Sequence, residues 1–97
     1  MLHFIDYVFF LTTYKEAGSI NRVEDASYVI QGYLMAMQDE KLNEFMFDFS
    51  TFLCAKLGIA DRIEWSKVIR FNAHSDAHSL HLFENFFRDY VDSISYE

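Results

Sequence analysis

The chain has 97 residues, within the usual range for one domain and too short for two well-formed cores, so a single domain over residues 1–97 is expected. Of these residues 52% are hydrophobic and 19% aromatic, enough apolar surface to offset the ordering entropy and to exclude a disordered chain. Fifteen acidic against eight basic side chains leave a formal charge of −7, which excludes a nucleic-acid surface, because neutralising phosphates needs clustered Lys and Arg, and favours a basic partner.

Proline is absent and the three glycines are scattered at Gly18, Gly32 and Gly58, too little punctuation for a sheet built on tight turns. Helices follow. The apolar start, Met1 to Leu11, is not read as a signal peptide or a membrane span: no Lys or Arg precedes it, Asp6 interrupts it, and Thr12, Thr13, Lys15 and Glu16 end it too early. It reads instead as a first helix over Leu2–Ala17, with Phe4, Tyr7, Val8, Leu11 and Tyr14 on one face and Gly18 placed to stop it. Phe9 and Phe10 widen that face, so the helix is expected to be covered on several sides; a strand over Phe4–Leu11 is the alternative, given its aromatic density.

A second helix is expected to start near Asn21, with Glu24 reaching back in a variant capping box. Val23, Ala26, Ile30, Tyr33, Leu34 and Met37 form its buried face, and Glu24, Ser27 and Gln31 are left to solvent. Gly32 lies inside it at a cost of about 1 kcal/mol relative to alanine, which a close backbone approach is expected to compensate. Asp39 then caps a third helix, whose stripe of Leu42, Phe45, Met46, Phe49, Phe52, Leu53 and Leu57 stops at Gly58. Asp61-x-x-Glu64 resembles another capping box and introduces a helix from Arg62 to Phe71 carrying Ile63, Trp65, Val68 and Ile69. After a polar loop, Asn72 to Asp76, Ser75 or Asp76 caps a last helix with the stripe Leu80, Phe83, Phe86, Phe87, Tyr90, Val91 and Ile94. The expected fold is all-α, a compact bundle of about five helices joined by short connections.

Enzyme chemistry finds little footing. No Gly-x-Ser-x-Gly elbow occurs, and Cys54, alone and flanked by Phe52, Leu53 and Ala55, reads as a small buried hydrophobe in a reducing compartment. Phosphate loops need glycine clusters, which are missing. His74, His78 and His81 approach metal-ligand spacing, but the loop before Asp76 breaks their shared face and the glutamate of a zinc-helix motif is absent; they are expected to be exposed or capping, and no cofactor or metal is assigned. No enzymatic activity is expected.

Carboxylate arrangement is more informative. Glu40, Glu44 and Asp48 follow at four-residue steps, so on one helix they form a negative ridge that Asp39 begins and Lys41 does not share. Such a ridge is either a solvated face or a binding face; as the latter, Asp39, Glu40, Glu44 and Asp48 would meet a cationic partner. Glu84, Asp89, Asp92 and Glu97 form a weaker acidic region, partly neutralised by Arg88. Tyr28, Phe47 and Tyr96 fit the core stripes less well and, exposed, would serve as anchors within a charged rim.

A middle helix pair rich in Phe and Tyr, then Glu64-Trp65-Ser66-Lys67-Val68-Ile69-Arg70-Phe71, a short polar loop, and Ser79-Leu80 leading into Phe83-x-x-Phe86-Phe87, resembles small bacterial immunity proteins. These neutralise toxins of interbacterial competition, including contact-dependent growth inhibition systems, and the similarity covers roughly residues 28 to 91. The resemblance implies a cytoplasmic inhibitor made beside its toxin, which binds the toxin's catalytic domain and blocks substrate. Many such toxins are nucleases with cationic clefts, which an acidic surface suits. Trp65, Phe83, Phe86 and Phe87, which carry the resemblance, belong to the fold in this reading. The competing expectation is a helical adaptor or regulatory subunit that grips its partner through a hydrophobic groove.

Overall fold

Five helices form in chain order: α1 (Leu2–Thr13), α2 (Val23–Met37), α3 (Glu40–Lys56), α4 (Trp65–Asn72) and α5 (Asp76–Ser95). The computed structural model describes residues 1–16 and 19–95, and among these the expected all-α bundle is found. Helix α5 is its axis, touching α1, α2, α3 and α4, while α1 closes one side against α2 and α5. The radius of gyration, 12.7 Å, matches the roughly 12.5 Å of a compact domain of this length.

Helix α1 is shorter than its periodicity suggests. The chain leaves the helix at Tyr14, and the Ile20 N–H donates to the Lys15 carbonyl at 2.7 Å, a turn that drops Ile20 into the core at 2% exposure. Burying Ile20 outweighs one more helical turn. The predicted end, Ala17 and Gly18, lies outside the described residues. Phe4, Val8 and Leu11 are buried but Phe10 and Tyr14 are exposed, so α1 is covered on one side and not on several.

Helix α2 begins at Val23, and its cap differs from the expected box. Asp25, not Glu24, reaches back to accept from the Asn21 N–H at 2.9 Å, while Glu24 turns towards α4. A buried serine of α5 completes the start: Ser79 Oγ accepts from the Val23 N–H at 3.0 Å and donates to the Asp76 carbonyl at 2.6 Å. Ser50 of α3 does the same for α4, accepting from the Trp65 N–H at 3.0 Å. Each removes a buried, unpaired amide that would cost about 1–3 kcal/mol. Ser27, expected in solvent, is buried and accepts from Gln31; Met37, expected in the core, is exposed because α2 ends at Gln38 in the left-handed region.

Gly32 is also unlike its expectation. No atom stands within 4 Å of where its Cβ would be, so no close backbone approach compensates its cost. Gly32→Ala should therefore stabilise the domain by about 1 kcal/mol, raising the melting temperature by about 4–8 °C in a thermal melt. An unchanged or lower value would contradict the open surroundings of this position.

Helix α3 starts as expected, with Asp39 accepting from the Lys41 N–H at 2.9 Å. Helix α4 starts three residues later than its capping-box pattern indicates, because Glu64 is itself the cap, accepting from the Ser66 N–H at 3.2 Å. Ile63 consequently precedes the helix and is exposed. Ser75 caps α5 by accepting from the His78 N–H at 3.0 Å.

The two main stripes meet in an aromatic core. Phe49 of α3 is fully buried, with ring centroids of Trp65, Phe83, Phe87 and Tyr90 at 5.7, 6.1, 5.4 and 5.2 Å. Trp65 stacks on Phe83 at 4.8 Å, so this pair pins α4 to α5. Cys54 is buried, as expected, with Sγ near the backbone of Ile63. Ile94, assigned to the last stripe, is exposed because it lies at the far end of α5. No described helix is long and apolar enough to cross a membrane.

Candidate functional site

The short α2–α3 connection, Gln38 and Asp39, presents the acidic start of α3 at the surface. Asp39 and Glu40 there complement the positive end of the helix dipole. Asp39, Glu40, Glu44 and Asp48 are all exposed, because Leu42, Phe45, Met46, Phe49 and Leu53 take the opposite face into the core. The predicted ridge is thus assembled on one helix.

Among the described residues, lack of a countercharge is shared by Asp6, Glu16 and Asp61; what distinguishes the α3 carboxylates is that three without an ion pair lie in succession along one helix face. Glu24 and Asp76 share Arg70, Asp25 pairs with Arg22, Asp89 with Lys56, and Glu84 with Arg88. Among the described residues, Glu40, Glu44 and Asp48 have no ion pair, and Asp39 uses its side chain as the cap. Surplus negative charge therefore sits on α3. The weaker acidic region on α5 is partly neutralised through Lys56 and Arg88, and Glu97 lies outside the described residues. The ridge also bears on the interior: Tyr90, whose hydroxyl donates to the Phe45 carbonyl at 2.6 Å, is pushed up to about 12 by burial and, secondarily, by the Asp48 charge.

Phe47 flanks the ridge, 52% exposed, and the Arg62 guanidinium lies 3.5 Å from its ring centroid, a cation–π contact. Tyr28 on α2 is exposed too, so both meet the condition for an anchor; Tyr96 lies outside the described residues. His74, His78 and His81 do not form one cluster among the described residues. His74 donates its N–H to Nδ1 of His78 at 2.9 Å and their rings stack, whereas His81 meets Asn85 instead.

Two features escaped the sequence reading. Phe71, the last aromatic of α4, is 90% exposed; its signal was the helical wheel, since Trp65, Val68 and Ile69 facing inward turn residues 67 and 71 outward. Arg70 donates from Nε and an amino nitrogen to the two Glu24 oxygens, both at 2.7 Å, and to Asp76 at 2.9 Å. With Arg70 46 positions after Glu24, no local pattern announces that pair.

The paired guanidinium holds Glu24 down to about 2 from an ordinary 4.5, chiefly by hydrogen bonding, and raises Arg70 in turn. A carboxylate depressed in the folded state contributes stability above its unfolded pKa and loses it as pH falls through the folded value. The melting temperature of Arg70→Gln should therefore lie below that of the wild type at pH 6, and the gap should close as pH falls from about 4.5 to about 2. A gap that stays constant over that range would contradict the Glu24 contribution.

Comparison with known proteins returns no matching family model, no matching curated protein and no matching solved structure.

Proposed function

We propose that this chain is a cytoplasmic immunity-type inhibitor that binds the catalytic domain of a cognate bacterial toxin, a basic nuclease, and obstructs its cleft with the acidic face of α3. The observation that carries the reading is the unpaired ridge. Four of the eight cations are held by carboxylates elsewhere, while Glu40, Glu44 and Asp48 stand exposed without one. Adjacent like charges at this spacing oppose the helix by a few tenths of a kcal/mol per pair (roughly 0.2–0.5); the helix dipole favours Glu40 in the first turn, and nothing in the helix offsets the cost for Glu44 and Asp48. A partner with a cationic cleft does, because complementary potential speeds encounter and rejects wrong partners. The inhibitor needs no reaction of its own; its rigid aromatic core keeps the ridge in one shape.

The test is the C-terminal domain of the protein encoded beside this chain, produced separately. A 1:1 complex in which its nuclease activity is lost is expected. Undiminished activity with an equimolar amount of this chain would overturn the reading. The adaptor alternative draws on a different observation, the exposed Tyr28 and Phe71 beside the α2–α4 groove, and predicts a complex less sensitive to salt.

A further inference from the structure

A groove of opposite character runs between α2 and the segment that leads into and through α4. Its two halves share Gln31 and Glu64: one passes Phe47, Arg62 and Trp65, and the other passes Tyr28, Lys67 and Phe71. Among the described residues four cations form no ion pair, namely Lys15, Lys41, Arg62 and Lys67, and two of these four, Arg62 and Lys67, line this groove.

The carboxylates within it are already engaged. Glu24 is gripped by Arg70 at 2.7 Å, and Glu64 is turned onto the start of its own helix, accepting from the Ser66 N–H and hydroxyl. Glu64 keeps its charge, and with Arg62, Lys67 and Arg70 against Glu24 and Glu64 the lining of the groove carries a surplus of one positive charge, on a chain whose total is −7. Apolar contact area is exposed along the same path, since Phe47, Tyr28 and Phe71 are 52%, 66% and 90% exposed. Exposed aromatics beside desolvatable cations are the usual anchors of peptide recognition.

We propose that this groove docks an acidic peptide segment of a partner protein, whose apolar side chains lie against Tyr28 and Phe71 and whose carboxylates meet Arg62 and Lys67. The eight residues of α4 span about 12 Å, so an extended segment of about four residues fills the half beside it. A basic segment is disfavoured by the same two cations. The surface includes none of the four ridge carboxylates and is opposite in sign, and Phe47 of α3 stands between the two.

The test uses a fluorescein-labelled peptide, Asp-Leu-Glu-Phe-Asp-Leu-Glu, and its counterpart with Lys at every acidic position, titrated by fluorescence anisotropy. The acidic peptide is expected to bind and its basic counterpart not to. The double variant Arg62→Glu, Lys67→Glu should weaken binding about tenfold or more, whereas Glu44→Lys should leave it unchanged. Both substituted side chains are exposed, and a carboxylate in the first turn of α4 suits the helix dipole, so the double variant should keep its melting temperature. No binding of the acidic peptide, equal binding of both peptides, or indifference to the double variant would overturn the proposal. So would concentration-dependent self-association of the unlabelled chain that the same variant abolishes, which would make a second copy the occupant.

Discussion

Phe49→Ala is expected to cost about 3–5 kcal/mol, the range for truncating a fully buried aromatic ring. Its neighbours come from α4 and α5 as well as from the next turns of the core, so the change opens a cavity where three helices meet. A domain of this size has about 5–15 kcal/mol of stability in total, so the loss is a large share of it. The melting temperature should fall by at least about 12 °C. Phe71→Ala is the matched control: the same truncation at a ring 90% exposed should change stability by no more than about 0.5 kcal/mol. Equal losses from the two variants, read by circular dichroism melts, would contradict the packing described.

Glu44→Lys should separate folding from binding. Its position lies one turn after Glu40 and one turn before Asp48, so the reversal converts two like-charge neighbours into two attractive ones and should stabilise α3 by up to about 1 kcal/mol. The same change should slow association with a cationic partner about tenfold, because it removes two units of the charge difference from the middle of the steering surface. A variant more stable yet slower to bind is the signature of a residue kept for its partner. Association at the wild-type rate would remove the ridge from the interface.

The helices were legible because their signal is local. The stripe from Leu42 to Leu57 repeats over four turns, and Asp39 caps α3 through a bond only two residues long. The acidic ridge follows from the same arithmetic, since exposing Glu40, Glu44 and Asp48 is the other face of burying Phe45 and Phe49. What escaped depends on distant chain. Glu24 had a plausible local role as a capping partner, but Arg70, 46 residues away, offers it two charge-assisted bonds, and Asp25 takes the capping role instead. Ser79 closes the start of α2 across 56 residues, a role no pattern near Asn21 could disclose. Ile20 shortened α1 because its burial depends on a core built with side chains of the other helices.

The groove lay between these extremes. Phe71 was readable from the wheel of α4, but its pairing with Tyr28 and Lys67 along one trough needed the packing of α2 against α4. Ion pairing likewise decided which carboxylates matter. Fifteen acidic residues are evenly visible in the sequence, and only the ion pairs reveal that Glu40, Glu44 and Asp48 are a consecutive uncompensated run, whereas Asp6, Glu16 and Asp61 stand singly.

The most direct measurement of the central claim is the association rate between this chain and the proposed toxin domain as salt rises from about 0.1 M to about 1 M, over which the screening length contracts from about 10 Å to about 3 Å. Steering by the α3 carboxylates predicts a steep fall in that rate, much shallower for Glu44→Lys. A rate that stays level across the range, in both proteins, would contradict it.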